Sequence, residues 1–241
     1  MSKNIISKAM QSPFVIYHDA EHLAVSVASR LAALIRTAVA RRGVCHIAFP
    51  GGRSSRRTLE WLSEQDLPWV ALHFYPSDER CVPVGDAERN DQLIDELLLT
   101  RVPLPPENLH RIPAELGPEE GAARYRQLLA YTPPFDIALL GMGSDGHIAS
   151  LFPQHPALAD ERAAIPVCNA IKPPSTRVSI GLMRLQAASE RWIIVTGIEK
   201  QAALARVQWR EVLPVTLVRP TGFFVDEAAA ALLTLPFEDR Q

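Results

Sequence analysis

Short, nearly unbroken apolar runs alternate along this chain with amphipathic segments, and that alternation restricts the fold more than any other feature. Ile137-Ala138-Leu139-Leu140 is the clearest run. A strand apolar on both faces belongs in a parallel sheet covered by helices on both sides, because a sheet with one wet face alternates polar and apolar residues. Similar runs predict strands over 44–49, 71–75, 135–140, 164–167, 177–181, 192–196 and 215–218. Between them, apolar spacings of three and four residues predict helices over 20–42, 54–62, 90–99, 118–129, 199–207 and 226–233. Gly43 stands at the C-cap of the first helix, and Ser54 or Ser55 has the chemistry to cap the second. The expected fold is α/β: a mainly parallel, Rossmann-like sheet with helices on both faces, in a single domain over 1–241.

No linker or repeat divides the 241 residues, and the 20 prolines punctuate loops without forming a low-complexity tract. With 25 basic and 27 acidic residues, the net charge of −2 argues against nucleic acid or an anionic membrane as partner. An anionic ligand therefore needs local positive charge. Three dispersed cysteines form no closed disulfide set and no Cys-x-x-Cys pair, which fits a reducing cytoplasm. Residues 1–10 lack the apolar core of a signal peptide, and no run approaches the 18 or so apolar residues of a membrane span.

Ligands of open parallel sheets bind beyond the carboxyl ends of the strands, and four polar loops follow such ends here. Pro50-Gly51-Gly52-Arg53-Ser54-Ser55 leads into a helix N-terminus, where backbone N–H groups hold a phosphate with Arg53 or Ser54 assisting, or form a bare tight turn. It lacks the Gly-Lys-Ser/Thr ending of a nucleotide P-loop. Ser77-Asp78-Glu79-Arg80 offers a carboxylate for sugar hydroxyls and a guanidinium for phosphate, or is a solvated charged loop. Arg177 and Lys200, on loops nearer the C-terminus, are candidates for a cationic clamp or are ordinary surface charge.

The third loop, Gly141-Met142-Gly143-Ser144-Asp145-Gly146-His147, imitates a dinucleotide fingerprint. Pro153 follows too soon for the helix that would receive a pyrophosphate, and no acid stands about twenty residues on. The glycines instead bend the backbone so that Asp145 and His147 enter a cleft. An imidazole is suited to take a proton from water at neutral pH, which makes His147 the candidate base and Asp145 its orienting acid. Further metal ligands at usual spacing are lacking, so neither a metal nor another cofactor is expected.

These segments together resemble the 6-phosphogluconolactonase family, part of a superfamily shared with glucosamine-6-phosphate deaminases. The resemblance rests on Gly51-Gly52, on Asp78-Glu79-Arg80-Cys81-Val82-Pro83 with Asn90 downstream, on the block from Phe135 to Pro153, on Arg177, and on Thr196-Gly197-Ile198-Glu199-Lys200. The central block is the specific part. Arg53-Ser54-Ser55 departs from the family's usual Ser-Thr-Pro, and Arg89 replaces a serine before Asn90. Deaminases continue Gly-His-Ile-Ala with Phe-Asn-Glu-Pro-Gly, whereas this chain reads Ser150-Leu151-Phe152-Pro153 and lacks that glutamate.

The resemblance implies hydrolysis of a small sugar-phosphate lactone, 6-phospho-D-glucono-1,5-lactone, in the pentose phosphate pathway. His147 would activate water and Asp145 would assist it. Gly51, Gly52, Ser54, Asp78, Arg80, Asn90, Gly143, Arg177 and Lys200 would bind substrate. No Gly-x-Ser-x-Gly elbow supplies a covalent nucleophile. The competing readings are a sugar-phosphate-binding regulator without turnover and an amino-sugar-phosphate deaminase.

Overall fold

The computed structural model describes residues 14–234, with the side chains of Arg53 and Ser54 excepted. The expectation about a signal sequence in residues 1–10 falls outside the described residues. The strands are β1 (Phe14–Tyr17), β2 (Cys45–Phe49), β3 (Leu72–Pro76), β4 (Asp78–Arg80), β5 (Ile137–Gly141), β6 (Ala164–Val167), β7 (Arg177–Ile180), β8 (Glu190–Val195) and β9 (Gly222–Asp226). The helices are α1 (Ala20–Arg42), α2 (Arg53–Ser63), α3 (Asp91–Ile94), α4 (Pro118–Ala130), α5 (Leu182–Gln186), α6 (Gln201–Gln208), α7 (Pro214–Leu217) and α8 (Glu227–Ala230).

Six strands form one sheet in the order β1-β9-β8-β5-β2-β3, every pair parallel, so all their carboxyl ends share one edge. Alternate residues separate its two faces. Ile47, Phe49, Phe74, Ile137, Leu139, Ile194 and Phe224 join one core with Leu23, Val27, Leu31 and Ile35 of α1 and Leu59 and Leu62 of α2. Ala48, Tyr75, Ala138, Leu140, Ile193, Val195 and Val225 join the other, with Tyr125 of α4, Leu204 of α6 and Val215 of α7. Each fully buried Leu or Ile contributes about 1.5–3 kcal/mol against exposure, which explains why both faces are covered.

Asp19 caps α1 by accepting from the His22 N–H, and Gly43, at φ 76°, ends it as expected. By length and composition this helix alone among the described residues would pass as a membrane span, which the sequence reading did not anticipate. Its apolar stripe is packed on the sheet.

Several expectations need correction. Residues 215–218 do not form a strand: Pro214 opens a helical turn there, since its fixed φ suits the first helical position and it has no N–H to give a ladder. The strand that completes the sheet is Gly222–Asp226, and the following helix is only Glu227–Ala230. β1 was not anticipated. Segments 164–167 and 177–181 are strands, but they belong to a second sheet, antiparallel, in the order β4-β7-β6. The helix over 90–99 is α3 continued by a wider five-residue-spaced turn, Asp95–Leu99. The N-cap of α2 is Gly52, and Ser55 instead donates its hydroxyl to the Gly52 carbonyl at 2.8 Å.

The two sheets meet at Ser77, where the chain leaves β3 and enters β4. The Ser77 N–H donates to the Phe49 carbonyl at 2.9 Å, and its carbonyl accepts from Ile180 at 2.8 Å. That switch places Asp78 and Arg80 over the edge where the parallel strands end.

Candidate active site

A cavity of about 670 Å³ opens at that edge, and Gly51, Gly52, Asp78, Arg80, Asn90, Gly143, His147, Arg177 and Lys200 all line it. Asp145 stands beside His147, and the Ser54 side chain lies outside the described residues. Loops separated by more than 140 residues in sequence are thus brought to one opening by the parallel topology.

The loop after β5 builds the centre. Gly143 N–H donates to the His147 carbonyl at 2.8 Å, Gly146 N–H donates to the Gly143 carbonyl at 3.0 Å, and Val215 N–H of α7 donates to the Gly146 carbonyl at 3.1 Å. This closed turn folds His147 back on Asp145, with Nδ1 to Oδ1 at 2.5 Å. A Cβ on Gly143 would sit 2.0 Å from His147 Nδ1 and 2.6 Å from Asp145 Oδ1, so only glycine leaves room for the pair. Phe152 supports the imidazole with ring centroids 4.7 Å apart.

Burial alone would raise the Asp145 carboxyl, but the hydrogen bond and charge of His147, together with Lys172, hold it well below the ordinary carboxylate range. An ionised carboxylate only accepts, so the neutral imidazole carries its proton on Nδ1. The lone pair is left on Nε2, and among the described residues Nε2 has no hydrogen-bond partner. That is the tautomer a base acting on water requires.

Asp78 is nearly buried and draws the loops together. Its Oδ2 accepts from Ser150 Oγ at 2.6 Å, and its backbone carbonyl accepts from Asn90 Nδ2 at 2.8 Å. Asn90 in turn packs on the first glycine turn: a Cβ on Gly51 would fall 1.9 Å from Asn90 Oδ1. Glu79 faces away from solvent and accepts the N–H groups of Arg80, Asn90 and Asp91 at 2.7 to 2.9 Å. Burial pushes its carboxyl up to about 7 despite those bonds. Arg89, with its side chain 1% exposed, meets Asp91 at 2.7 Å, Glu115 at 3.0 Å and Glu79 at 4.0 Å. The departure from serine at this position is therefore filled by a buried charge network behind the cavity.

The cations differ in availability. Arg177 Nε donates to the Pro174 carbonyl at 3.1 Å, its Nη2 donates to Lys172 and Pro173 carbonyls at 3.1 and 2.9 Å, and its Nη1 reaches Ser150 Oγ at 3.4 Å. Four of its five N–H groups are thus engaged, leaving one for a ligand. Arg80 donates through Nη1 to the Glu88 carbonyl, while its buried Nε has no hydrogen-bond partner among the described residues. Lys200 lies 4.0 Å from Glu199 Oε1 at the cavity wall.

Among the lining residues not assigned from sequence, Asp226 and Lys172 bear most on the site. Asp226 ends β9, accepts the Gly197 N–H at 3.0 and 3.1 Å, and caps α8 through Ala229 at 2.8 Å. Reading 222–226 as a strand would have put it on the ligand edge. Lys172 lies on the loop leading to Arg177, and its neighbours in space, not in sequence, give it significance.

A family model for glucosamine-6-phosphate isomerases/6-phosphogluconolactonase matches residues 18–226. A 6-phosphogluconolactonase of Streptomyces coelicolor is 38% identical over 210 residues, 79% of this chain and 80% of that protein. A human 6-phosphogluconolactonase is 37% identical over 242 residues, covering 88% of this chain and 93% of its own. Among solved structures, the 6-phosphogluconolactonase of Thermotoga maritima superposes with a TM-score of 0.80 at 28% identity, over 88% of this chain and 98% of that one.

Proposed function

The chain belongs to the glucosamine-6-phosphate isomerase/6-phosphogluconolactonase family, and we propose that it hydrolyses 6-phospho-D-glucono-1,5-lactone to 6-phospho-D-gluconate, with His147 as the base. The observation that carries the reading is the His147–Asp145 pair, which points an unprotonated Nε2 toward a cavity of sugar-phosphate size. His147 Nε2 takes a proton from water as the water oxygen bonds to C1. As the tetrahedral intermediate collapses, the bond from C1 to the ring oxygen breaks and His147 returns the proton to that oxygen. The new carboxylic acid then ionises.

A lactone is an activated ester, so a base worth about 10²–10⁴ with positioning added is adequate without a covalent intermediate. The Gly51-Gly52 turn at the N-terminus of α2 and Lys200 hold the 6-phosphate, while Asp78, Arg80 and Asn90 shape the sugar site. Arg177 contributes chiefly its charge, given how many of its donors are engaged. Where the deaminases resembled above carry their glutamate, this chain has Phe152, fully buried against the imidazole. No acid at that position can shuttle protons for isomerisation, which favours water as the reactant. Three unpaired cysteines suit a reducing compartment such as the cytoplasm.

A coupled assay following 6-phosphogluconate with its dehydrogenase tests this. The parent should outpace spontaneous opening, and His147→Ala should lose roughly 10²–10⁴ of that advantage. A protein that is stabilised by sugar phosphate yet adds nothing to the spontaneous rate would instead be a binding regulator.

A further inference from the structure

We propose that Lys172 tunes the base: carried on a loop that Arg177 holds in place, its ammonium shares the Asp145 carboxylate with His147 and offsets part of that carboxylate's pull on the imidazole proton. The proposal rests on reading His147 as the base. Its starting point is the position of Lys172 Nζ, 3.9 Å from Asp145 Oδ1. The same oxygen accepts from His147 Nδ1 at 2.5 Å and from the His147 N–H at 3.3 Å.

An imidazole bonded to a lone carboxylate gains proton affinity, because the anion stabilises imidazolium. Carried far, that gain leaves the base protonated and idle at neutral pH. A cation on the same carboxylate oxygen offsets part of it. The pairing also explains the arginine. Arg177 binds the carbonyls of Lys172, Pro173 and Pro174 in succession, and Ala170 N–H closes the loop on the Ser175 carbonyl at 2.9 Å. A guanidinium bonded in that way fixes the backbone from which Lys172 projects.

Two other charges near the pair, Arg206 and Arg177, are engaged by groups of their own. Arg206 of α6 acts on Asp145 electrostatically, but its Nε and Nη2 bind both oxygens of Glu211 at 2.7 and 2.5 Å. Arg177 lies 5.6 Å over the Phe152 ring on which His147 packs, with Asp78 3.9 Å from its Nη1. Lys172 is the cation that approaches the Asp145 carboxylate within 4.0 Å among the described residues.

The test compares kcat/KM against pH for the parent, Lys172→Met and Lys172→Arg, after subtraction of spontaneous opening. Because the Lys172 side chain is 41% exposed, neither variant threatens the fold. Loss of the cation should move the acid limb upward by roughly half to one pH unit, while arginine should keep it near the parent position. Titration of the His147 imidazole by NMR should show the same displacement. A limb and an imidazole titration unmoved in Lys172→Met overturn the proposal, as does a rate loss equal at every pH. If His147→Ala keeps its turnover, the reading of His147 as base fails instead, and the NMR titration still reports separately whether Lys172 tunes the imidazole.

Discussion

Gly143 shows how the site depends on single atoms. Its place in the glycine-rich loop was visible in the sequence, but the reason offered there was a bend. The structure gives a different reason: the His147–Asp145 pair occupies the space a side chain would need, with Nδ1 at 2.0 Å and Cε1 at 2.1 Å from where Cβ would stand. Both close atoms belong to the reacting pair, so relief can come only by displacing it. Gly143→Ala should therefore lower kcat by about 10²-fold, since a displacement near 1 Å in a reacting group costs that much. Thermal stability should change far less, because Gly143 itself lines the cavity and the atoms it displaces belong to the polar pair. Equal kcat in the two proteins would show that the imidazole tolerates another position.

At the scale of elements, most strands and helices were legible because buried strands are apolar on both faces and helices are apolar on one. The exceptions have physical causes. Val215-Thr216-Leu217-Val218 has strand-like composition, yet Pro214 starts a helical turn and Thr216 fixes it, its Oγ1 accepting the Leu213 N–H at 2.9 Å. Strands β6 and β7 were visible as apolar runs whereas β4 was read as a charged loop, and because partner choice is nonlocal, the pairing of all three into an antiparallel sheet was not visible. The site followed the same pattern: His147 and Asp145 are two residues apart and readable, whereas Asp226 depends on β9 lying beside β8. From β9, Asp226 ties down Gly197, which stands at φ 95° at the start of the turn Ile198–Lys200. Asp226→Ser keeps a hydroxyl able to cap α8 but removes the reach to Gly197. We expect KM to rise roughly tenfold with kcat little changed, as loss of uniform phosphate binding requires. A stability loss with KM unmoved would mean that Asp226 serves α8 alone.

At the scale of the whole molecule, the same sheet carries a second titratable cluster at the amino-terminal half of β2 and β3, away from the ligand edge. His46 and His73 are paired across those strands with rings 5.1 Å apart, His73 Nδ1 meets His110 Nε2 at 2.9 Å, and His46 Nδ1 meets the Tyr75 hydroxyl at 3.0 Å. A bond between two imidazole nitrogens needs one of them unprotonated, so the rings cannot all be cations in the folded state. Burial, with mutual repulsion and Arg42 and Arg184 near His46, pushes His46 and His110 down to about 4. In the unfolded chain these rings protonate near pH 6.5. The unfolded state therefore binds more protons between about pH 6.5 and 4, and stability falls as pH is lowered through that window and levels below it. Both rings are half-buried, so solvent screening reduces the loss to about 1 kcal/mol for each. Urea midpoints measured from pH 7.5 to 4.5 should decline in the parent and decline less in His110→Asn, which removes one depressed group and the imidazole pair together. Parallel declines in the two proteins would assign the acid sensitivity to other groups. Because the cluster packs at the opposite end of the strands from His147, its protonation should lower the unfolding midpoint at pH values where the acid limb of kcat/KM in the folded enzyme still follows Lys172 and Asp145.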